Sequence, residues 1–184
     1  MNRIVGISGN ALPNARTRWV VEGVVAQIAR RVCAAPHTVA VADLVPDLGI
    51  GVRRAASPRL EEALRRIETA DLLIVGSPVA KGSYSGLLKH LIDLLDEGAL
   101  GGVPIGLIAT GGGDLPALIA ERHLRALFRG LSASILPTGV FVAEQAIIGG
   151  AIVDAAAIVR LDRLIAEAVA ALAPTPQAKL ALVS

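Results

Sequence analysis

The sequence predicts an α/β domain built on a doubly wound parallel sheet of five strands, with helices on both faces. Three observations carry that prediction. Short apolar runs of strand length alternate along the chain with longer segments whose apolar residues recur at helical spacing. The run Asp71-Leu72-Leu73-Ile74-Val75 has a continuous apolar core, which is the pattern of a strand covered on both faces. Three of the runs end in loops of glycine and hydroxylated residues, where a sheet of this kind holds its ligand.

Residues 3–7 form the first strand. A helix over 17–32 follows, with Trp19, Val20, Val24, Ile28 and Val32 at helical spacing. Trp19 is assigned to this buried stripe, and a stack on a ligand near the helix start is its alternative role. Residues 38–41 give a second short strand, and 43–49 a loop of turn-forming residues without a motif. Ser57 caps a helix running to about residue 69, with Pro58 where a missing N–H costs least and Leu60, Ala63, Leu64 and Ile67 on its buried side. The third strand is 71–75, and a helix begins near Ser85 and continues through Leu87, Leu88, Leu91, Ile92 and Leu95. Residues 103–109 are the fourth strand, 114 or 115 to about 129 a helix, 134–142 a fifth strand interrupted by Pro137, and 154–172 the last helix. Residues 1–173 are one domain on this reading, and 174–184, with Pro174 and Pro176, are a tail or an arm onto a partner.

Composition narrows the class of function. With 53% hydrophobic and 18% charged residues, the chain has enough apolar material for one compact domain. A net charge of +2 without a basic stripe gives no footprint for nucleic acid, and Arg53-Arg54 and Arg65-Arg66 read as solvated pairs. The single cysteine, Cys33, cannot form an internal disulfide and fits a reducing cytoplasm. The N-terminus enters a strand almost at once, and no apolar run reaches the length of a membrane span, so a cytoplasmic location away from membranes is expected. His37, His90 and His123 are scattered, which gives no metal-ligand spacing, and no nucleophile–base pair is visible.

The loop after the first strand, Ser8-Gly9-Asn10-Ala11-Leu12-Pro13-Asn14-Ala15-Arg16-Thr17-Arg18, opens onto a helix. The first amides of a helix have no partner within it, and its dipole places about half a positive charge there, so the geometry suits an anion. Ser8, Asn10, Arg16 and Thr17 are the candidate side-chain donors to a phosphate, with Arg18 beside them. Neither the dinucleotide nor the Walker glycine pattern is present, which favours a mononucleotide-type phosphate; an ordinary strand-to-helix turn capped by Thr17 is the alternative. The third strand empties into Gly76-Ser77-Pro78-Val79-Ala80-Lys81-Gly82-Ser83-Tyr84-Ser85-Gly86 and the fourth into Thr110-Gly111-Gly112-Gly113, whose glycines would let backbone approach a flat ligand. In the strand order 2-1-3-4-5 these loops line one crevice. A receiver domain shares that order but needs acidic residues after the first and third strands, where this chain has Ser8-Gly9-Asn10 and Gly76-Ser77-Pro78.

Ser77-Pro78 with Lys81, Tyr84-Ser85-Gly86 and Leu88-Lys89, together with Ala109-Thr110-Gly111-Gly112, resembles the motifs of the NAD(P)H-dependent FMN reductases, flavodoxin-like proteins that feed reduced flavin to two-component alkanesulfonate or chelator monooxygenases. The resemblance spans most of the chain. It implies that Ser8, Asn10, Arg16 and Thr17 hold the FMN phosphate, that Pro78, Val79, Ala80 and Lys81 pass along the isoalloxazine, and that Thr110, Gly111 and Gly112 meet its pyrimidine edge. Hydride would pass between NADH or NADPH and flavin, with the protein supplying orientation and electrostatics, Lys81 among them. Three positions depart from the family pattern. Asn10 and Ala15 replace serines of the first loop, Ala80 replaces a tyrosine, and Glu121-Arg122-His123 stands where some members insert a tyrosine. Weaker FMN binding is the expected consequence. Two other roles remain open at this stage: a reductase that keeps its flavin and reduces quinones, azo dyes or metal ions, and a non-catalytic FMN- or phosphate-binding module. The helix containing Leu115, Leu118, Ile119, Leu124, Leu127 and Phe128 is apolar beyond one stripe, and the mean hydropathy is +0.61, so a homodimer or homotetramer through that helix is expected, as the resemblance also implies.

Overall fold

The computed structural model describes residues 2–112 and 114–173, the side chains of 114–120 excepted. Five parallel strands, β1 (Ile4–Ser8), β2 (Pro36–Ala40), β3 (Leu72–Pro78), β4 (Pro104–Gly111) and β5 (Ser134–Ala143), form one sheet in the order β2-β1-β3-β4-β5. This is the doubly wound, flavodoxin-like arrangement that the alternating pattern predicts. The helices are α1 (Arg16–Arg31), α2 (Val41–Leu44), α3 (Pro58–Glu68), α4 (Gly86–Asp93), α5 (Asp114–Gly130) and α6 (Ala155–Ala171). The tail expected at 174–184 lies outside the described residues, as does Gly113.

Two apolar layers sandwich the sheet. On one face α1 and α6 bury Val21, Val25, Ile28, Leu164 and Ile165 against Ile4, Leu72, Ile74 and Ile108. On the other, α3, α4 and α5 bury Leu60, Leu64, Leu88, Leu91, Leu124 and Phe128 against Ile7, Leu73, Val75 and Leu107. Successive strand residues point to opposite faces, so a strand covered on both sides is apolar at every position, which is why β3 shows no alternation. Close approach of α1 depends on Gly76, because a Cβ there would collide with Val21 and press on Thr17. That contact sets the height of the helix N-terminus above the strand ends.

The structure corrects the local readings in four places. Trp19, assigned to the buried stripe of the first helix, is 40% exposed and belongs to neither apolar layer, because Val20, Val21, Val24 and Val25 already fill the side of α1 that faces the sheet. Residues 43–49, expected to be a plain loop, instead begin within α2 and continue as a 3₁₀ turn over Val45–Asp47, since Val41 and Leu44 have a core to enter. Pro137 does not interrupt β5. It sits where the register slips between Ile105↔Ile135 and Leu107↔Gly139, a bulge that needs no N–H from a proline. A short antiparallel hairpin, β6 (Ile147–Ile148) with β7 (Ala151–Ile152), precedes α6 and gives no usable period at that length.

Candidate functional site

The parallel register brings the C-terminal ends of the strands side by side: Ser8 lies opposite Gly76, Pro78 opposite Thr110, and Gly111 opposite Ala143. The loops after β1, β3 and β4 therefore meet at one edge, and their own hydrogen bonds tie them together. The Gly9 amide donates to the Gly76 carbonyl at 2.8 Å, and the Val79 amide to the Thr110 carbonyl at 2.7 Å. Ser85, which caps α4 by accepting from the Leu88 amide, also donates its hydroxyl to the Gly9 carbonyl. Ser77 is fully buried and accepts from the Ser85 amide at 3.0 Å. Ser77 and Ser85 carry the architecture of the crevice, a role that a string of hydroxylated residues does not reveal in sequence.

The start of α1 differs from those of three other helices. Ser57, Ser85 and Asp154 place a side-chain oxygen on the amides of α3, α4 and α6. At α1 the cap position is Ala15, in extended conformation and with no side-chain bond to the helix. Thr17, the cap of the alternative reading, lies inside the helix and points into the core. The first amides of α1 thus have no side-chain cap, at the end of the helix that carries partial positive charge. Arg16 stands at that start, 52% exposed, with Nη1 3.3 Å from Glu144 Oε2 at the end of β5.

The other expected phosphate donors are already engaged. Ser8 donates its hydroxyl to Asn10 Oδ1, and Asn10 Nδ2 donates to the Leu12 carbonyl. Thr17 Oγ1 lies 2.6 Å from Thr110 Oγ1, both buried, so the hydroxyls join α1 to the end of β4. Arg18 is turned along the helix to Glu22 at 2.8 Å and across to Asp43 at 3.0 Å, and those carboxylates hold its guanidinium above the ordinary arginine range.

The second loop forms a tight turn. Ala80 and Ser83 bond each other's backbone, with Lys81 at φ 51° and Gly82 at φ 81°, the left-handed conformations of a two-residue hairpin turn. Ala80 and Lys81 are exposed at its tip, and Pro78 and Val79 are half-buried at its root. From α5, His123 Nδ1 lies 3.0 Å from Ser83 Oγ. In the third loop the two described glycines separate. A Cβ at Gly111 would come within 3.2 Å of Val79 and into ordinary contact with Phe141, whereas at Gly112 it would meet nothing within 4 Å. At 111 the protein's own packing is therefore close, whereas at 112 it leaves room. Gly112 is exposed at the crevice.

Of the twelve candidate residues, Ser8, Asn10, Arg16, Thr17, Pro78, Val79, Ala80, Lys81, Thr110, Gly111 and Gly112 gather at this edge, and the Arg18 side chain turns away from it. Glu144, Ser83 and His123 join them from elements that the motifs do not cover. Among the described residues no three His, Cys, Asp or Glu side chains are grouped so as to hold a metal ion.

A family model described as NADPH-dependent FMN reductase matches residues 2–147. The NADH-dependent FMN reductase SfnE of Pseudomonas putida is 39% identical over 165 residues, 89% of this chain and 88% of that protein. The FMN reductase (NADPH) of Pseudomonas aeruginosa is 38% identical over 143 residues, 77% of this chain and 77% of its own length. Among solved structures, the apo form of the NADH:FMN oxidoreductase EMOB superposes with a TM-score of 0.83 at 27% identity, covering 96% of this chain and 92% of that one. An oxidoreductase from Corynebacterium diphtheriae gives a TM-score of 0.77 at 31% identity over 92% of this chain and 96% of its own.

Proposed function

The chain belongs to the NADPH-dependent FMN reductase family, and from that premise we propose how its crevice holds flavin and to whom the reduced flavin goes. The activity is NAD(P)H-dependent reduction of FMN. Bound flavin supplies the chemistry by taking hydride from the nicotinamide. The phosphate belongs at the open amides of α1 with Arg16 closing over it, and the uncapped start of that helix is the observation that carries this assignment. The donor set fits a doubly charged anion: oriented N–H groups and a guanidinium whose one ion pair among the described residues is with Glu144. Pro78, Val79, Ala80 and Lys81 form the wall along the isoalloxazine. Backbone at Thr110, Gly111 and Gly112 faces the pyrimidine edge, where donors steady the negative charge that reduction brings, with Lys81 as a mobile counter-charge.

FMN is on this reading a substrate that leaves. Ser8, Asn10 and Thr17 each have a bond to another protein group, so Arg16 and the helix amides carry most of the grip. Ala80 offers no aromatic face, and Asn10 and Ala15 supply no hydroxyl. A loosely held flavin suits delivery of reduced FMN to a partner monooxygenase, working in the cytoplasm as a homodimer or homotetramer. Among the described residues no helix is long and apolar enough to cross a membrane. Anaerobic bleaching of added FMN by NADH or NADPH, with equilibrium dialysis of oxidised and reduced flavin, tests the assignment. Catalytic bleaching with flavin recovered outside the bag is the expected result. Bleaching of flavin that stays with the protein would instead indicate a prosthetic group passing electrons to another acceptor. FMN binding without bleaching would reduce the chain to a binding module.

A further inference from the structure

One hydrogen bond joins the start of α1 to the end of β4. Thr17 and Thr110, 2% and 0% exposed, stand with their hydroxyl oxygens 2.6 Å apart. Each residue has a second part to play through its backbone. The first bond within α1 runs from the Trp19 amide to the Ala15 carbonyl at 3.3 Å, so the Thr17 amide precedes it, among those at the uncapped helix start. The Thr110 carbonyl accepts from the Val79 amide at 2.7 Å, and the next residue along the strand is Gly111. A single side-chain contact thus connects the phosphate cradle with the wall of the crevice and its pyrimidine edge.

The chemistry of the pair fixes a distance. Two hydroxyls come within 2.6 Å because one donates a hydrogen bond to the other, whereas two carbons in their places need about 3.5–4.0 Å. A bare Cα at Gly76 admits the same turn of α1 on the neighbouring strand, since a Cβ there would fall 2.3 Å from Val21 Cγ2 and 3.2 Å from Thr17 Cγ2. With so little surface exposed, neither threonine side chain reaches a ligand. Resting on the placement of the FMN phosphate at the α1 start and of the ring at the β4 end, we infer that Thr17 and Thr110 are positioning residues. Their hydrogen bond sets the span between the two ends of the ligand, so that phosphate and pyrimidine edge are held at once. Riboflavin, which has the ring and the ribityl chain but no phosphate, gains nothing from that span.

The ratio of FMN affinity to riboflavin affinity, read by titration of flavin fluorescence, measures the span. Thr17→Val removes the hydroxyl at nearly equal volume and should lower that ratio about tenfold, since a shift of about 1 Å spoils the joint fit, and Thr17→Ser should restore most of it. Thr110→Val should act alike, and the double valine variant should lose no more than either single one, because all three remove the same bond. A role confined to stability weakens both ligands in step. An unchanged ratio in Thr17→Val would therefore overturn the inference, whatever the melting temperature. If Thr17→Val fails to fold, Thr17→Ala, which sets no methyl against Thr110, carries the same expectation and the same refutation. Arg16→Ala tests the premise separately. A ratio unchanged there would remove the phosphate from the α1 start and the inference with it, whereas a ratio that falls in Arg16→Ala but holds in Thr17→Val would leave the cradle standing and overturn the inference alone.

Discussion

Arg16 is the side chain on which flavin affinity should turn, because the neighbouring hydroxyls and amide are bonded within the protein. Its pairing with Glu144 is between half-exposed groups and contributes at most about 1 kcal/mol, whereas a charge-assisted bond to phosphate contributes roughly 1.5–3 kcal/mol. Arg16→Ala should therefore lower FMN affinity by about one to two decades. Glu144→Gln should raise it by up to about fivefold, since the arginine no longer has to leave a partner. Flavin titrations that show the same affinity in both variants would count against the cradle. The glycines separate by the same logic. Gly112→Val, with open space around the new side chain, should leave thermal stability near wild type and impair FMN binding. Gly111→Val should cost about 1–3 kcal/mol of stability by overpacking Val79. A thermal melt beside a flavin titration distinguishes them, and equal melting temperatures would refute the packing account. The residue types of the site are legible in the sequence, but their commitments are not. Nothing local tells that Thr17 reaches across to Thr110, 93 positions away, or that Arg18 is held by Asp43.

At the scale of the element, α3 shows how charge is organised away from the crevice. Arg53, before the helix, binds Glu61 at 2.8 Å, Glu68 at 2.9 Å and Asp96 at 3.0 Å, joining α3 to the turn after α4, and its carboxylates hold its guanidinium above the usual range. Arg53 in turn holds the Glu61 carboxyl below its ordinary value, Arg65 and Arg66 do the same to Glu62, and Arg3 to Asp71. A carboxylate depressed in the folded state contributes stability that is complete above its unfolded value and is lost as pH falls through the folded one. Urea midpoints should thus be flat from neutrality to about pH 5 and decline below it, with a shallower decline in Arg53→Met. A midpoint that rises on acidification would contradict the sign. The elements themselves were largely legible, because α1, α3 and α6 have long apolar stripes and β1, β3 and β4 are apolar up to the hydroxylated residues at their C-terminal ends. Where the expected bounds were least accurate, as at β2 with α2, the segment is five residues followed by four, too short for either period to declare itself.

For the whole molecule, the question is where a chain with mean hydropathy +0.61 hides its apolar surface. The helix expected to pair with its symmetry mate answers within one subunit as far as it is described. Leu124 and Phe128 are fully buried under the sheet and Leu127 packs against the same layer, while Leu115, Leu118 and Ile119 lie outside the described side chains. Leu127→Glu would accordingly weaken the fold before it separated subunits. Of the exposed large apolar side chains, Ile148 and Val153 lie around the β6–β7 hairpin and Ile158 and Val159 on α6, the last 63% exposed, while Leu12, Trp19, Val45 and Val52 are dispersed along the first half of the chain. Beside Val159 the α6 surface is a shallow hollow floored by Ala155 and Ala156 and edged by Arg160 and Arg163, small residues that let another backbone come close. An oligomer sealed there would remove from water Ile148, Val153, Ile158 and Val159, four of the large apolar residues that the sheet sandwich leaves uncovered. Light scattering at micromolar concentration should give a twofold or fourfold multiple of 18.9 kDa, and Val159→Glu should lower that mass while leaving the melting temperature of the dissociated chain and its FMN affinity unchanged. A mass of 18.9 kDa for the unaltered chain would refute the assembly, and an undiminished oligomer in Val159→Glu would move the interface away from α6.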